Sequence, residues 1–246
     1  VHNDKPFYLL GKAGARMSFL PGHFPAGAAA AKAPAVLTFL QTAVNIDPFT
    51  TYSFASENIG AADTTRRVVV ACHWHDSVTS TAMNSATIGG VAATIHIQGS
   101  STTGNCAIIS ALVPTGTTAT IDFTLSGAAD RAAIAVYRAI NETVATHHDA
   151  QADNAIASGV FSLAINIPAN GWVVGCVQPT AGNASNVHAW VGVTEQYELG
   201  YSDSTAVRYS GGFNSGLPLE ASRTVSCTIT TSTLPVGGRM VAMSWG

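Results

Sequence analysis

From residue 36 onward the chain runs in short stretches of alternating apolar and polar residues, punctuated by Gly, Ser, Thr, Asn and Pro. Alternation with period two places successive side chains on opposite faces of a strand. In TATIDFTLS the apolar set is Ala119, Ile121, Phe123 and Leu125, against Thr118, Thr120, Asp122 and Thr124. VFSLAINIP sets Phe161, Leu163, Ile165 and Ile167 against Ser162, Ala164 and Asn166, and TVSCTITT sets Val225, Cys227 and Ile229 against Ser226, Thr228 and Thr230. Each reads as a half-buried strand, with Cys227 facing a core. The run RRVVVACHWHD puts Val68, Val70, Cys72 and Trp74 on one face and Val69, Ala71, His73 and His75 on the other. This parity predicts Cys72 and Trp74 inward, His73 and His75 outward. No long amphipathic helical pattern interrupts the series.

The two halves of the chain repeat one another. RVVVACH at 67–73 matches GWVVGCV at 171–177, IGGV at 88–91 matches WVGV at 190–193, and RAAIAVYR at 131–138 matches GRMVAMSWG at 238–246. The order is kept at an offset of about a hundred residues, as in a duplicated supersecondary unit. One such sheet alone would leave an apolar face open, so the two units are expected to pack together. The pattern predicts an all-β, jelly-roll-like β-sandwich over residues 36–246, built from two related five-strand halves at about 60–140 and 165–246. NETVATHHDAQADNAIASG would connect them. Residues 1–35, with MSFLPGHFPAGAAAAKAPA, mix Pro and Gly with an alanine run too short to sustain a helix alone. They read as an irregular N-terminal arm for docking and assembly.

Composition narrows the function classes. Only 10% of the 246 residues are charged, against roughly 25% in an average soluble domain, which fits a surface packed into an assembly. The formal charge is −3, and Arg66–Arg67 is the only basic cluster, so the electrostatic footprint of a nucleic-acid binder is missing. No run approaches the 18 apolar residues of a membrane span, and membrane insertion is not expected. Cys72, Cys106, Cys176 and Cys227 lie far apart with no C-x-x-C, and are read as buried free thiols.

Candidate chemistry is sparse. His73 and His75, two apart on a strand, stand roughly 6.5–7 Å apart by strand rise, a spacing that suits two ligands of one metal. Zinc needs at least a third ligand, and His96 in TIHIQ would serve if its strand lies alongside; a solvent-facing or subunit-interface pair explains the spacing equally well. HHDAQAD at 147–153 lacks the D-x-D-x-D-G pattern of a calcium loop and reads as a solvated loop. SGGFNSG at 210–216 follows no strand-then-helix pattern and reads as a surface loop. No G-x-S-x-G motif, activated cysteine or phosphate loop is present, and none of the 14 acids is marked for glycoside hydrolysis. No catalytic residue and no cofactor is therefore assigned. Trp74 and Trp245 share the parity of core residues, and Trp172 opens a strand beside Val173. Trp190, on the parity of His188, is the one tryptophan expected to face outward as a sugar-stacking candidate.

Taken together, RRVVVACHWHD, SATIGGVAATIHIQ, SALVPTGTTATIDFTLSG, AIAVYRA and WVGVTEQYE resemble a family of uncharacterised phage and prophage proteins, strand-rich components of virions. The resemblance covers roughly residues 50–246, lies in strand-and-turn phrasing and leaves the arm uncovered. It implies a structural or surface part of a tailed-phage particle, located in the virion, and brings no active-site residues to carry over. The expected function is a non-enzymatic structural protein, a capsid decoration or tail-fibre-type component attached through its arm. Its expected partners are other virion proteins and copies of itself. The alternatives are a carbohydrate-binding module for host adhesion, with host surface polysaccharide as partner, and a metal-dependent hydrolase.

Overall fold

The computed structural model describes residues 33–246 apart from 77–79, 100–102, 143, 155–158, 181–185, 202–206 and 231–236. Residues 1–32, most of the expected arm, lie outside the described residues. The first half of the chain supplies β1 (Val36–Asn45), β2 (Phe49–Asn58), β3 (Arg67–His75), β4 (Met83–Ile88), β5 (Val91–Ala92), β6 (Thr94–Gly99), β7 (Gly104–Leu112), β8 (Thr118–Ala129) and β9 (Arg131–Ile140). The second supplies β10 (Asp149–Asp153), β11 (Val160–Ile167), β12 (Gly171–Pro179), β13 (Val187–Val191), β14 (Thr194–Gly200), β15 (Arg208–Leu217), β16 (Glu220–Thr230) and β17 (Gly238–Trp245). No helix occurs among the described residues.

The strands form four antiparallel sheets, ordered β1-β9-β3-β7-β6 and β2-β8-β4-β5 in the first half and β10-β17-β12-β15-β14 and β11-β16-β13 in the second. Strand for strand the two halves have one topology, the jelly roll, with β10 standing for β1, β17 for β9, β12 for β3 and β13 for β4. Only β5 has no counterpart. The halves are larger than the expected five strands: among the described residues the first has nine and the second eight, a five-stranded sheet backed by a smaller one in each. The first half begins at Val36, well before residue 60, and the second at Asp149.

Three cores separate the four layers. Tyr52, Phe54, Val70, Trp74, Ile121, Phe123 and Ile134 fill the first outer core. Phe161, Leu163, Ile165, Val173, Val225, Cys227 and Met240 fill the second. Between the two five-stranded sheets lies a central core in which Val69, Ala71, Ile108, Ala133, Ala135 and Tyr137 meet Trp172, Val174, Cys176, Tyr209, Val241, Met243 and Trp245. The half-buried strands follow their predicted parity: Ala119, Ile121, Phe123 and Leu125 on β8, Phe161, Leu163, Ile165 and Ile167 on β11, and Val225, Cys227 and Ile229 on β16 are all buried. β3 departs from its expected role. All nine of its residues are buried, because the face that carries Val69, Ala71 and His73 is covered by the second half. His73 and His75 do not face solvent.

The repeat holds at β9 and β17, where Ala133, Ala135 and Tyr137 match Val241, Met243 and Trp245 in the central core. At β3 and β12 it slips. Val70 and Cys72 enter the first outer core, whereas Val174 and Cys176 enter the central one. His73 pairs with Ala133 and Cys176 with Val241, so His73 is the true counterpart of Cys176. The sequence match is one residue out, which on a strand exchanges the two faces.

Two expected loops are strands. HHDAQAD contains β10, the edge of its sheet, and the carboxylates of Asp149 and Asp153 accept the Asn166 and Ser162 amides of β11 at 2.8 and 2.7 Å. SGGFNSG is the body of β15, where Gly211 lies so close beneath the Tyr197 hydroxyl that a Cβ would collide with it. Arg66 is no surface charge either: fully buried, it donates to the carbonyls of Val113, Gly60, Gly116 and Thr115 at 2.6–2.9 Å and ties two loops together.

The halves approach closely at Gly104 of β7, where a Cβ would sit 2.7 Å from the carbonyl oxygens of Gln178 and Pro179 on β12. Neither obstacle is a flexible side chain, so the sheets themselves must part. Gly104→Ala is expected to lower stability by about 1–3 kcal/mol, the usual cost of overpacking, measured as a shift of the urea midpoint. An unchanged midpoint would show that the two sheets yield at this contact.

Candidate functional site

The three histidines considered as metal ligands are held by separate sets of partners. His73, on β3, lies in the central core with Nε2 2.8 Å from the Tyr197 hydroxyl and its ring 4.9 Å from that of Tyr209. Burial pushes it down to about 3, so it is neutral at any ordinary pH. His75 sits at the end of β3. Its Nε2 donates to the Thr180 carbonyl at 3.4 Å, and its Nδ1 is 3.7 Å from the Asp130 carboxylate. Burial, with Arg131 nearby, lowers its affinity for a proton. His96, on β6, is separated from β3 by β7. Its Nε2 meets the Ser110 hydroxyl at 2.8 Å, its Nδ1 lies 3.2 Å from Nδ1 of His147, and Trp245 packs edge-on against it at 4.6 Å. Among the described residues no three His, Cys, Asp or Glu side chains gather as a metal would require. All four cysteines are buried free thiols.

Trp190 also turns the other way. On β13 the outward set is Val187, Ala189 and Val191, while Trp190 lies against Gly175 of β12, leaving no room there for a Cβ. It borders the second outer core. The indole N–H donates to Ser210 Oγ at 3.0 Å. A strand's parity names two faces without saying which is covered, and here the covered face is the one read as outward.

This contact belongs to a polar cluster that the motif search does not reach, since its members come from β13, β14 and β15. Ser210 Oγ is 2.6 Å from Nδ1 of His188. Because the indole can only donate, the Ser210 hydroxyl proton remains available to His188. The His188 backbone N–H donates to Glu198 Oε2 at 3.3 Å, and Glu198 Oε1 pairs with Arg208 Nε at 2.9 Å. Burial and the neighbouring Glu198 push Glu195 up to about 7. A serine on a histidine has the outline of a nucleophile and its base. Here, however, Ser210 is fully buried and His188 nearly so, and Glu198 holds the histidine's backbone instead of its ring. The cluster satisfies polar groups inside the second sandwich.

The first sandwich solves the same problem with other residues. Trp74 Nε1 donates to Thr81 Oγ1 at 2.8 Å, Thr81 Oγ1 to Asp76 Oδ2 at 2.6 Å, and Asn105 Nδ2 to the same oxygen at 3.1 Å. Burial pushes Asp76 up to about 6. The one signal in the sequence for either cluster is chemical: a buried indole N–H needs an acceptor. Comparisons with models of protein families, with curated proteins and with solved structures find no match for this chain.

The buried histidines predict acid sensitivity with a definite sign. His73, His96 and His188 are held at about 3, 4 and 4, against about 6.5 in the unfolded chain. The unfolded state therefore binds protons first as pH falls below 6.5, and stability, complete above that value, drains away towards pH 4. Asp76 and Glu195, both raised in the fold, work in the opposite direction, between about 6 and 4 and between about 7 and 4.5. The melting temperature is expected to fall between pH 7 and pH 4. His73→Phe should be less stable at pH 7, because Tyr197 loses its partner, yet show a shallower decline with acid. An unaltered slope in that variant would remove His73 from the account.

Proposed function

We propose that this chain is a non-enzymatic structural protein of a tailed-phage particle, a surface decoration or fibre-type component attached through its N-terminal residues. The observation that carries the reading is the tandem of two jelly rolls of one topology sharing a single central core. Jelly rolls are a recurrent architecture of viral capsid domains, and a rigid four-layer body suits a part that bears load. The outer face of the β11-β16-β13 sheet agrees with it. Ser162, Ala164, Asn166, Ser226, Thr228, Val187, Ala189 and Val191 form that face, with no charge to strip of water when a neighbour packs on it. Ser210, His188 and Glu198 engage one another inside the second sandwich.

The adhesion reading keeps the architecture, since lectin domains also use jelly rolls, but Trp190 no longer serves as its platform. The test is immunogold electron microscopy of particles from the source culture, with an antibody raised against residues 36–246. Gold on the head supports a decoration, and gold on the tail supports an appendage. Deleting residues 1–32 should abolish incorporation without unfolding the sandwich. Unlabelled particles, with the epitope accessible on free protein, would overturn the reading and put sugar binding first.

A further inference from the structure

The two halves serve as references for each other, and they differ at one edge. In the first half β5 lies along the outer edge of β4, pairing Ala92 with Thr87 and Val91 with Ile88, and Ile88 is completely buried. In the second half β13 takes the place of β4. It has β16 on one side and, among the described residues, no strand on the other. Trp190, the last core-side residue of β13 as Ile88 is of β4, is left only half-buried. Val187 and Val191 are 58% and 60% exposed, among the most exposed large apolar residues. The His188 N–H turns to the Glu198 side chain instead of to a strand carbonyl. Backbone groups of alternate residues on a strand aim to the same side, so the N–H and C=O of Trp190 also face the open edge.

We propose that this edge receives a strand formed by residues 6–10, PFYLL, of a second copy of the chain. The proposal rests on the N-terminal residues being the attachment element and names the site that takes them. Twenty-two residues separate Leu10 from Ala33, a length that reaches about 75 Å when extended, enough to arrive on a neighbouring molecule. Phe7, Tyr8, Leu9 and Leu10 are of types that favour or tolerate strands, and the run carries no charge, matching the uncharged β13. Strand addition to a sheet edge draws affinity from main-chain bonds and specificity from alternate side chains. One alternate set of the run would cover the open flank of Trp190, and the other would extend the apolar row of Val187 and Val191. Because donor and acceptor surfaces differ, the contact is head-to-tail and builds rings or filaments, the kind of contact a particle component needs.

The experiment uses full-length protein. One batch carries Val191→Cys and a second carries Phe7→Cys, Tyr8→Cys, Leu9→Cys or Leu10→Cys in turn. The four native thiols are buried and stay out of the reaction. Each pair is mixed and oxidised with glutathione disulfide, which takes the two electrons released as two thiols join. Cross-strand neighbours lie close enough for a disulfide. The expected result is covalent heterodimer at alternate positions only, 7 and 9 or 8 and 10. Equal yields at all four positions, no cross-link from variants that retain their circular dichroism, or cross-linking only when both cysteines share one chain would overturn the proposal. Gold-labelled particles without a cross-link would reject the edge contact alone, and a cross-link without label would reject the virion reading alone.

Discussion

Everything in this molecule depends on burying both faces of two five-stranded sheets at once. A jelly roll standing alone covers one face of its larger sheet and wets the other. Here each half covers the face that the other exposes. Small residues make the close contact possible: Ala71, Ala133 and Ala135 on one side, and Gly104 where backbone meets backbone. At roughly 1.5–3 kcal/mol for each large apolar side chain withdrawn from water, the central layer outweighs the cost of the polar groups trapped in it. His73 stays neutral there, and Cys106 directs its thiol to the Arg239 and Cys176 carbonyls at 3.4 and 3.8 Å.

Double burial also dictates where polar chemistry can live. In the central core His73 meets the Tyr197 hydroxyl, and each sandwich holds a polar cluster of its own. Trp74 with Thr81, Asp76 and Asn105, and Trp190 with Ser210, His188 and Glu198, are two unrelated ways of giving an indole N–H an acceptor. The duplicated topology is therefore stricter than the duplicated sequence. Apart from β5 the strand order is shared, while the residues that fill each sandwich have diverged.

Much of this was legible in the pattern of residues, and the failures have a common cause. Alternation located β8, β11 and β16 with the correct faces, because each has one face on a core and one on water. It misjudged β3 and β13. Parity divides a strand into two sides but cannot say what lies over them, and on β3 both sides are covered. The warning was present, since RVVVACHWH is a nearly unbroken apolar run of the kind that marks a strand buried on both faces. Glycine misled at β15, where Gly211 and Gly212 make room for neighbouring rings and backbone and not for a loop. The repeat was found, but its register at β3 and β12 was one residue out, because runs of valine align equally well either way. The polar cluster around Ser210 was invisible, being assembled from three strands with no local spacing.

The first half closes on itself: β1 pairs with β9, and no strand of its sheets is borrowed from residues beyond 140. During synthesis it can complete its hydrogen-bond ladders while the second half is still in the ribosome. Until that half emerges, the face bearing Val69, Ala71, Ala133 and Tyr137 is a finished, adhesive surface with no cover. The second half, arriving last, takes that face out of water as it docks, so the central core is the last of the three to form.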